Sequence, residues 1–131
     1  MDSMCGDQDD IRDDGIDYEP FITGSRRYGT PNEKSDIDMV ILCRSKDAYE
    51  LLVAQADNKN DAIKWGRYDT MTTKALRFGK LNLLVTKHPA TYRHWYEITE
   101  KLVMVASVVA VTKDQAIKAF DWKNWEEQYA N

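Results

Sequence analysis

The stretch FITGSRRYGTPNEKSDIDMVILC, Phe21 to Cys43, decides how this chain reads. A short apolar run, Phe21-Ile22-Thr23, stops at Gly24-Ser25. Ten residues then separate Ser25 from Asp36, mostly polar and turn-forming, with Gly29, Pro31 and Asn32 among them. The chain resumes at Ser35-Asp36-Ile37-Asp38 and runs into Met39-Val40-Ile41-Leu42. Alternate residues of a strand share a face, so Asp36 and Asp38 are expected to project together, roughly 6.6 Å apart along the backbone. The apolar run beyond them has the pattern of a strand covered on both faces. The expectation is a carboxylate pair at the mouth of a buried strand, one hairpin-length from a Gly-Ser turn.

Two ionised carboxylates about 4 Å apart repel by roughly 4 kcal/mol at an effective dielectric of 20. That is a large share of the ~5–15 kcal/mol that stabilises a typical domain. A cation removes the repulsion, and hard oxygen donors select Mg²⁺, which takes one or two carboxylates together with substrate phosphates. Gly24 lets backbone N–H groups approach a phosphate, and the Ser25 hydroxyl adds a donor. Either feature alone reads as an Asp-capped turn or a loop glycine. Both together, in this order, favour a metal–phosphate site.

Gly-Ser, ten residues, then Asp-Ile-Asp before an apolar run resembles the signature of the DNA polymerase β-like nucleotidyltransferase superfamily, most closely its minimal, stand-alone members. Gly24, Ser25, Arg26, Gly29, Ser35, Asp36 and Asp38 match that pattern, whereas Arg27 and Tyr28 stand where the family usually has Ala and Arg. The strong resemblance covers about 20 of the 131 residues. It implies that Asp36 and Asp38 hold Mg²⁺, with Mn²⁺ able to replace it. It also implies that Gly24, Ser25 and Ser35, with Arg26 or Arg27, bind the nucleotide.

The family carries a third carboxylate on a later strand, set between apolar residues. Gly79-Lys80 between two apolar runs suggests a tight hairpin, and the matching position after it is Asn82, flanked by Leu81 and Leu83-Leu84-Val85. Asparagine offers a carbonyl oxygen but no charge, and it cannot act as a base. The competing register gives the role to Asp69.

With 131 residues and 43% hydrophobic composition, one domain with a real core is expected. No run reaches the ~18–20 consecutive apolar residues of a membrane span, and the N-terminus does not read as a signal peptide. Cys5 and Cys43 have no metal or redox spacing, so a reducing, cytoplasmic location is the default. Cys43 reads as a small core residue. Charge is uneven: residues 1–20 hold eight acidic groups against Arg12, while the rest carry 17 basic and 14 acidic groups, a net +3. Residues 1–17 therefore read as an acidic, loosely ordered segment before one domain over 18–131.

Ser45 is placed to cap a helix, with Asp47 in its first turn. Tyr49, Leu52, Val53 and Ala56 form its apolar face. Residues 58–61 read as loop, and Trp65 to Tyr68 as a strand candidate. A long helix is expected from Pro89, with Trp95, Leu102, Val103, Ala106 and Ala110 on its apolar side. Val108 to Val111 suggest an extended segment. Thr112 and Gln115 form a capping-box pattern for a last helix, which either breaks near Asp121 or turns its tail aromatics elsewhere. His88 and His94 have no ligand or triad spacing.

The expected fold is a single α/β domain with a mixed, largely antiparallel sheet and helices mainly on one face. As the resemblance implies, its reaction is transfer of a nucleoside monophosphate from an NTP to a hydroxyl of a protein, an RNA end or a small molecule. A homodimer or a partner subunit would complete so small a site. The competing reading keeps the fold but takes Asn82 to mark lost turnover, leaving a module that grips a nucleotide or a partner protein.

Overall fold

The computed structural model describes residues 18–130; the acidic segment 1–17, with Cys5, and Asn131 lie outside the described residues. In chain order the elements are β1 (Phe21–Thr23), α1 (Ser25–Tyr28), β2 (Ile37–Leu42), α2 (Lys46–Gln55), β3 (Lys74–Phe78), β4 (Leu81–Thr86), α3 (Pro89–Ala106), α4 (Lys113–Phe120) and α5 (Trp122–Ala130). The strands form one sheet in the order β1-β2-β4-β3. The β1–β2 and β3–β4 pairs are antiparallel and β2–β4 is parallel, so the sheet is mixed and mostly antiparallel, as expected. No helix among the described residues is long and apolar enough to cross a membrane.

The apolar run after Asp38 becomes β2, an inner strand, and both its faces are covered. Met39 and Ile41 join Leu76, Leu83 and Val85 beneath α2. Val40 and Leu42 face the other way, against Tyr92 of α3 with Phe21 and Trp95. Leu102, Ala116 and Phe120 form a third cluster in which α3 and α4 meet Tyr28 of α1. Thus α1, α3 and α4 gather on one side of the sheet and α2 covers the other.

Local signals hold where they are strong. Ser45 Oγ accepts from Ala48 N at 3.2 Å, and the face of α2 that packs is the one its periodicity marks. Gly79 and Lys80 form the two-residue turn, with Gly79 at φ +61° and Phe78 paired to Leu81. Thr112 and Gln115 make both bonds of the capping box. The break at Asp121, in the left-handed region at φ 48°, separates α4 from α5. The tail aromatics then stack around His94, with Trp125 4.8 Å and Trp122 4.7 Å from it between ring centroids.

Four expectations need correction. Trp65 to Tyr68 is not a strand; it enters a 3₁₀ turn, Arg67–Thr70, because Tyr68 stacks on Tyr49 at 4.9 Å and Trp65 closes the cluster. Residues 58–61 are more than loop, since they include a 3₁₀ turn at Lys59–Asp61. Asn58 there bonds Ala75 O and Arg77 N, so a side chain covers the outer edge of β3. Val108 to Val111 form a turn and irregular chain, not an extended strand. In α3 the buried face holds Thr91, Tyr92, Thr99 and Leu102, while Ala110 lies past the helix end. Thr99 is buried because its hydroxyl bonds that of Thr23 at 2.7 Å.

Candidate active site

Strand register brings the site together. Thr23, Asp38, Asn82 and Arg77 stand in one row across β1, β2, β4 and β3. Paired residues of neighbouring strands project on the same face, so the row crosses the sheet beneath a cleft of about 630 Å³. Gly24, Ser25, Ser35, Asp36, Asp38 and Asn82 line its polar end. Trp95, Val111, Ile117, Phe120 and Trp122 form an apolar wall, with Lys113 near it.

Gly24 ends β1 at φ +75° and ψ −158°. A Cβ built there would overlap Asp38 Oδ2 and lie 3.1 Å from its Cγ. The glycine is therefore required by the carboxylate beside it as well as by any phosphate. From Gly24 the chain makes one helical turn, α1, and Ser25, Tyr28 and Gly29 line the cleft. Positions i, i+3 and i+4 share a helix face, which leaves Arg26 and Arg27 off it.

Both arginines, expected to add positive charge for the nucleotide, are held by protein partners in this structure. Arg26 donates to Ser35 O at 2.8 Å, bracing the loop that delivers Asp36. Arg27 donates to Ile22 O at 3.2 Å and pairs with Glu100 of α3. Ser35 lies at the cleft, but its hydroxyl accepts from Asn32 N at 2.9 Å within the same loop.

Asp36 sits just before β2 and is exposed, Asp38 is half-buried, and both line the cleft. Asn82 faces Asp38 across the parallel pair and donates Nδ2 to Asp38 Oδ1 at 3.1 Å. Its Oδ1 is buried with no hydrogen-bond partner among the described residues. Asp69 falls in the 3₁₀ turn Arg67–Thr70, off the sheet, so Asn82 is the residue that stands opposite the aspartate.

Two neighbours escaped the sequence reading. Arg77 of β3 places Nη1 3.2 Å from Asp36 Oδ2. Tyr28, half-buried, lines the cleft between Thr23 and Asp38. Burial pushes its phenol above the ordinary value, the Thr23 hydrogen bond opposes the rise, and the Asp38 charge adds to it, so Tyr28 is a neutral hydroxyl. The hairpin signal could have pointed to Arg77, since a two-residue turn fixes the pairing of Arg77 with Asn82. Nothing local pointed to the α4 wall.

A family model described as a nucleotidyltransferase domain matches residues 8–103, a span holding all four strands and every polar residue of the cleft named above except Lys113. The chain belongs to that family. Neither a curated protein nor a solved structure matches it. The matched span of this nucleotidyltransferase domain ends within α3, so Val111, Ile117, Phe120 and Trp122 of the apolar wall come from beyond it.

The donor set suits a hard divalent cation. Asp36 and Asp38 offer carboxylate oxygens, and Asn82 Oδ1 is a neutral oxygen without a partner among the described residues. No group of three or more His, Cys, Asp or Glu gathers among the described residues. Two carboxylates are nonetheless what Mg²⁺ commonly takes from a protein when phosphates and water fill its other positions.

Proposed function

We propose that this chain transfers a nucleoside monophosphate from an NTP to an acceptor hydroxyl at the cleft between β2 and α4. The observation that carries the reading is the juxtaposition of Gly24-Ser25 with Asp36 and Asp38 at the polar end of one cleft, within a nucleotidyltransferase domain. The acceptor oxygen bonds to the α-phosphorus, the bond from that phosphorus to the bridging oxygen breaks, pyrophosphate leaves with that oxygen, and the acceptor proton passes to water. Asp36 and Asp38 would hold Mg²⁺ or Mn²⁺, which neutralises phosphate charge when bound. Gly24, backed against Asp38, keeps backbone close to the phosphates, and Ser25 and Tyr28 offer hydroxyl donors from the same helix face. The apolar wall of Trp95, Ile117 and Phe120 suits the flat face of a base. A protein, an RNA end or a small molecule could serve as acceptor, and a second copy or a partner subunit would present it.

Incubating the protein with α-labelled NTPs, Mg²⁺ and extract as the source of acceptors tests this reading. A labelled acceptor that disappears with Asp38→Ala is the expected result; no label and no Mg²⁺-dependent nucleotide affinity would overturn it. Asn82 favours a second reading, a nucleotide-gripping module without turnover, because a neutral amide cannot take a proton from the acceptor. Nucleotide binding with no pyrophosphate release in the presence of acceptor would select that reading.

A further inference from the structure

The polar end of the cleft has a charge balance that limits how many cations it can hold. Polymerases and nucleases commonly use two metal ions roughly 3.5–4 Å apart, which together stabilise the attacking and leaving oxygens. Two divalent cations that close need dense anionic ligation, and here the protein's share is thin. Asn82 is neutral, and its Nδ2 occupies Asp38 Oδ1 at 3.1 Å. Arg77 Nη1 lies 3.2 Å from Asp36 Oδ2, so the other carboxylate already faces a positive charge. No third carboxylate joins them among the described residues.

Arg77 is held in place for this. Its backbone N donates to Asn58 Oδ1 at 3.0 Å, and its carbonyl accepts from Asp57 N at 2.7 Å. It is paired with Asn82, itself paired with Asp38, so the guanidinium rises from the same row as both. We propose that this site takes a single divalent cation with its nucleotide, and that Arg77 is a positioning residue whose charge, acting through Asp36, stands in for a second. The inference rests on the nucleotidyltransferase reading above.

Bound Mn²⁺ can be counted by electron paramagnetic resonance on the full chain, with and without a saturating α,β-methylene ATP analogue. Wild type and Arg77→Lys should bind one Mn²⁺ per chain with the nucleotide. Arg77→Gln removes a cation beside the site and should tighten Mn²⁺ binding without nucleotide by roughly tenfold. Arg77→Gln combined with Asn82→Asp should raise the count to two. Two ions in the wild type, an unchanged Mn²⁺ affinity in Arg77→Gln, or a count of one in the double variant would each overturn the inference. Should the double variant not fold, the Arg77→Gln affinity decides alone. Failure of the wild type to bind the nucleotide at all would overturn the nucleotidyltransferase reading and this inference with it, an outcome distinct from binding with two ions.

Discussion

At Gly24 the backbone lies in a region open essentially to glycine alone, and the Asp38 carboxylate fills the space a side chain would need. Gly24→Ala is therefore expected to displace Asp38 and to cost about 1–3 kcal/mol of backbone strain. Ser25→Ala forfeits one hydroxyl hydrogen bond, about 0.5–1.5 kcal/mol. Titrating nucleotide into both variants should show the larger loss at Gly24, and equal affinities would remove that glycine from phosphate binding. Asp36→Ala and Asp38→Ala should each abolish Mg²⁺-dependent nucleotide binding, but their effects on stability should differ. The Asp36–Arg77 pair is about half-exposed and worth about 0–1 kcal/mol. Loss of Asp38 leaves the half-buried Asn82 amide without its acceptor, at about 1–3 kcal/mol. Urea titration of the two variants measures that difference. Asn82→Asp turns the Asn82–Asp38 hydrogen bond into a repulsion. Its melting temperature should fall in chelator and recover with Mg²⁺, and its transfer rate at saturating Mg²⁺ should exceed that of the wild type. A variant with unchanged melting and unchanged turnover would place Asn82 outside the site.

Among the elements, α4 is the one whose position decides substrate contact. Its Thr112–Gln115 capping box starts the helix, and Ala116 and Phe120 anchor it against α3. Ile117 is left 59% exposed at the cleft. Because it is so exposed, Ile117→Lys should leave the unfolding free energy within about 0.5 kcal/mol of wild type. It should weaken nucleotide affinity severalfold if the base rests on this wall, and unchanged affinity would assign the wall to the acceptor. Phe120→Ala is a poorer probe, since truncating a buried phenylalanine costs about 3–5 kcal/mol and would loosen the helix itself. At the far edge of the sheet, Asn58 and Asp57 perform for β3 what a neighbouring strand would. They bond Ala75, Arg77 and Gly79, which keeps the edge closed and Arg77 in register.

For the molecule as a whole, the buried phenols set an alkaline limit. Tyr49 is 1% exposed and donates to Ile63 O at 2.6 Å. Burial pushes its phenol up, with Cys43 adding to the rise, and Tyr28 is raised in the same direction. A raised folded-state value means that the folded chain holds its phenol protons longer than the unfolded chain. The associated stability is thus fully present below the ordinary phenol range and is lost as pH climbs beyond about 10. The urea midpoint should fall above that pH, and less steeply in Tyr49→Phe. The sequence alone determined the features that arise within a few residues of one another. These are the spacing of Gly24-Ser25 from Asp36 and Asp38, the Gly79-Lys80 turn, and the helix starts at Ser45 and Thr112, because caps, turns and alternation are local energies. The hairpin also made Asn82 readable, since its turn sets where the strand begins. Only the tertiary structure decided that β4 lies beside β2, which sets Asn82 against Asp38 across 44 positions of chain. It alone drew Arg27 to Glu100 over 73 positions and Arg77 to Asp36 over 41. Strand order and helix docking depend on how whole faces pack, and no single stretch of residues carries that free energy.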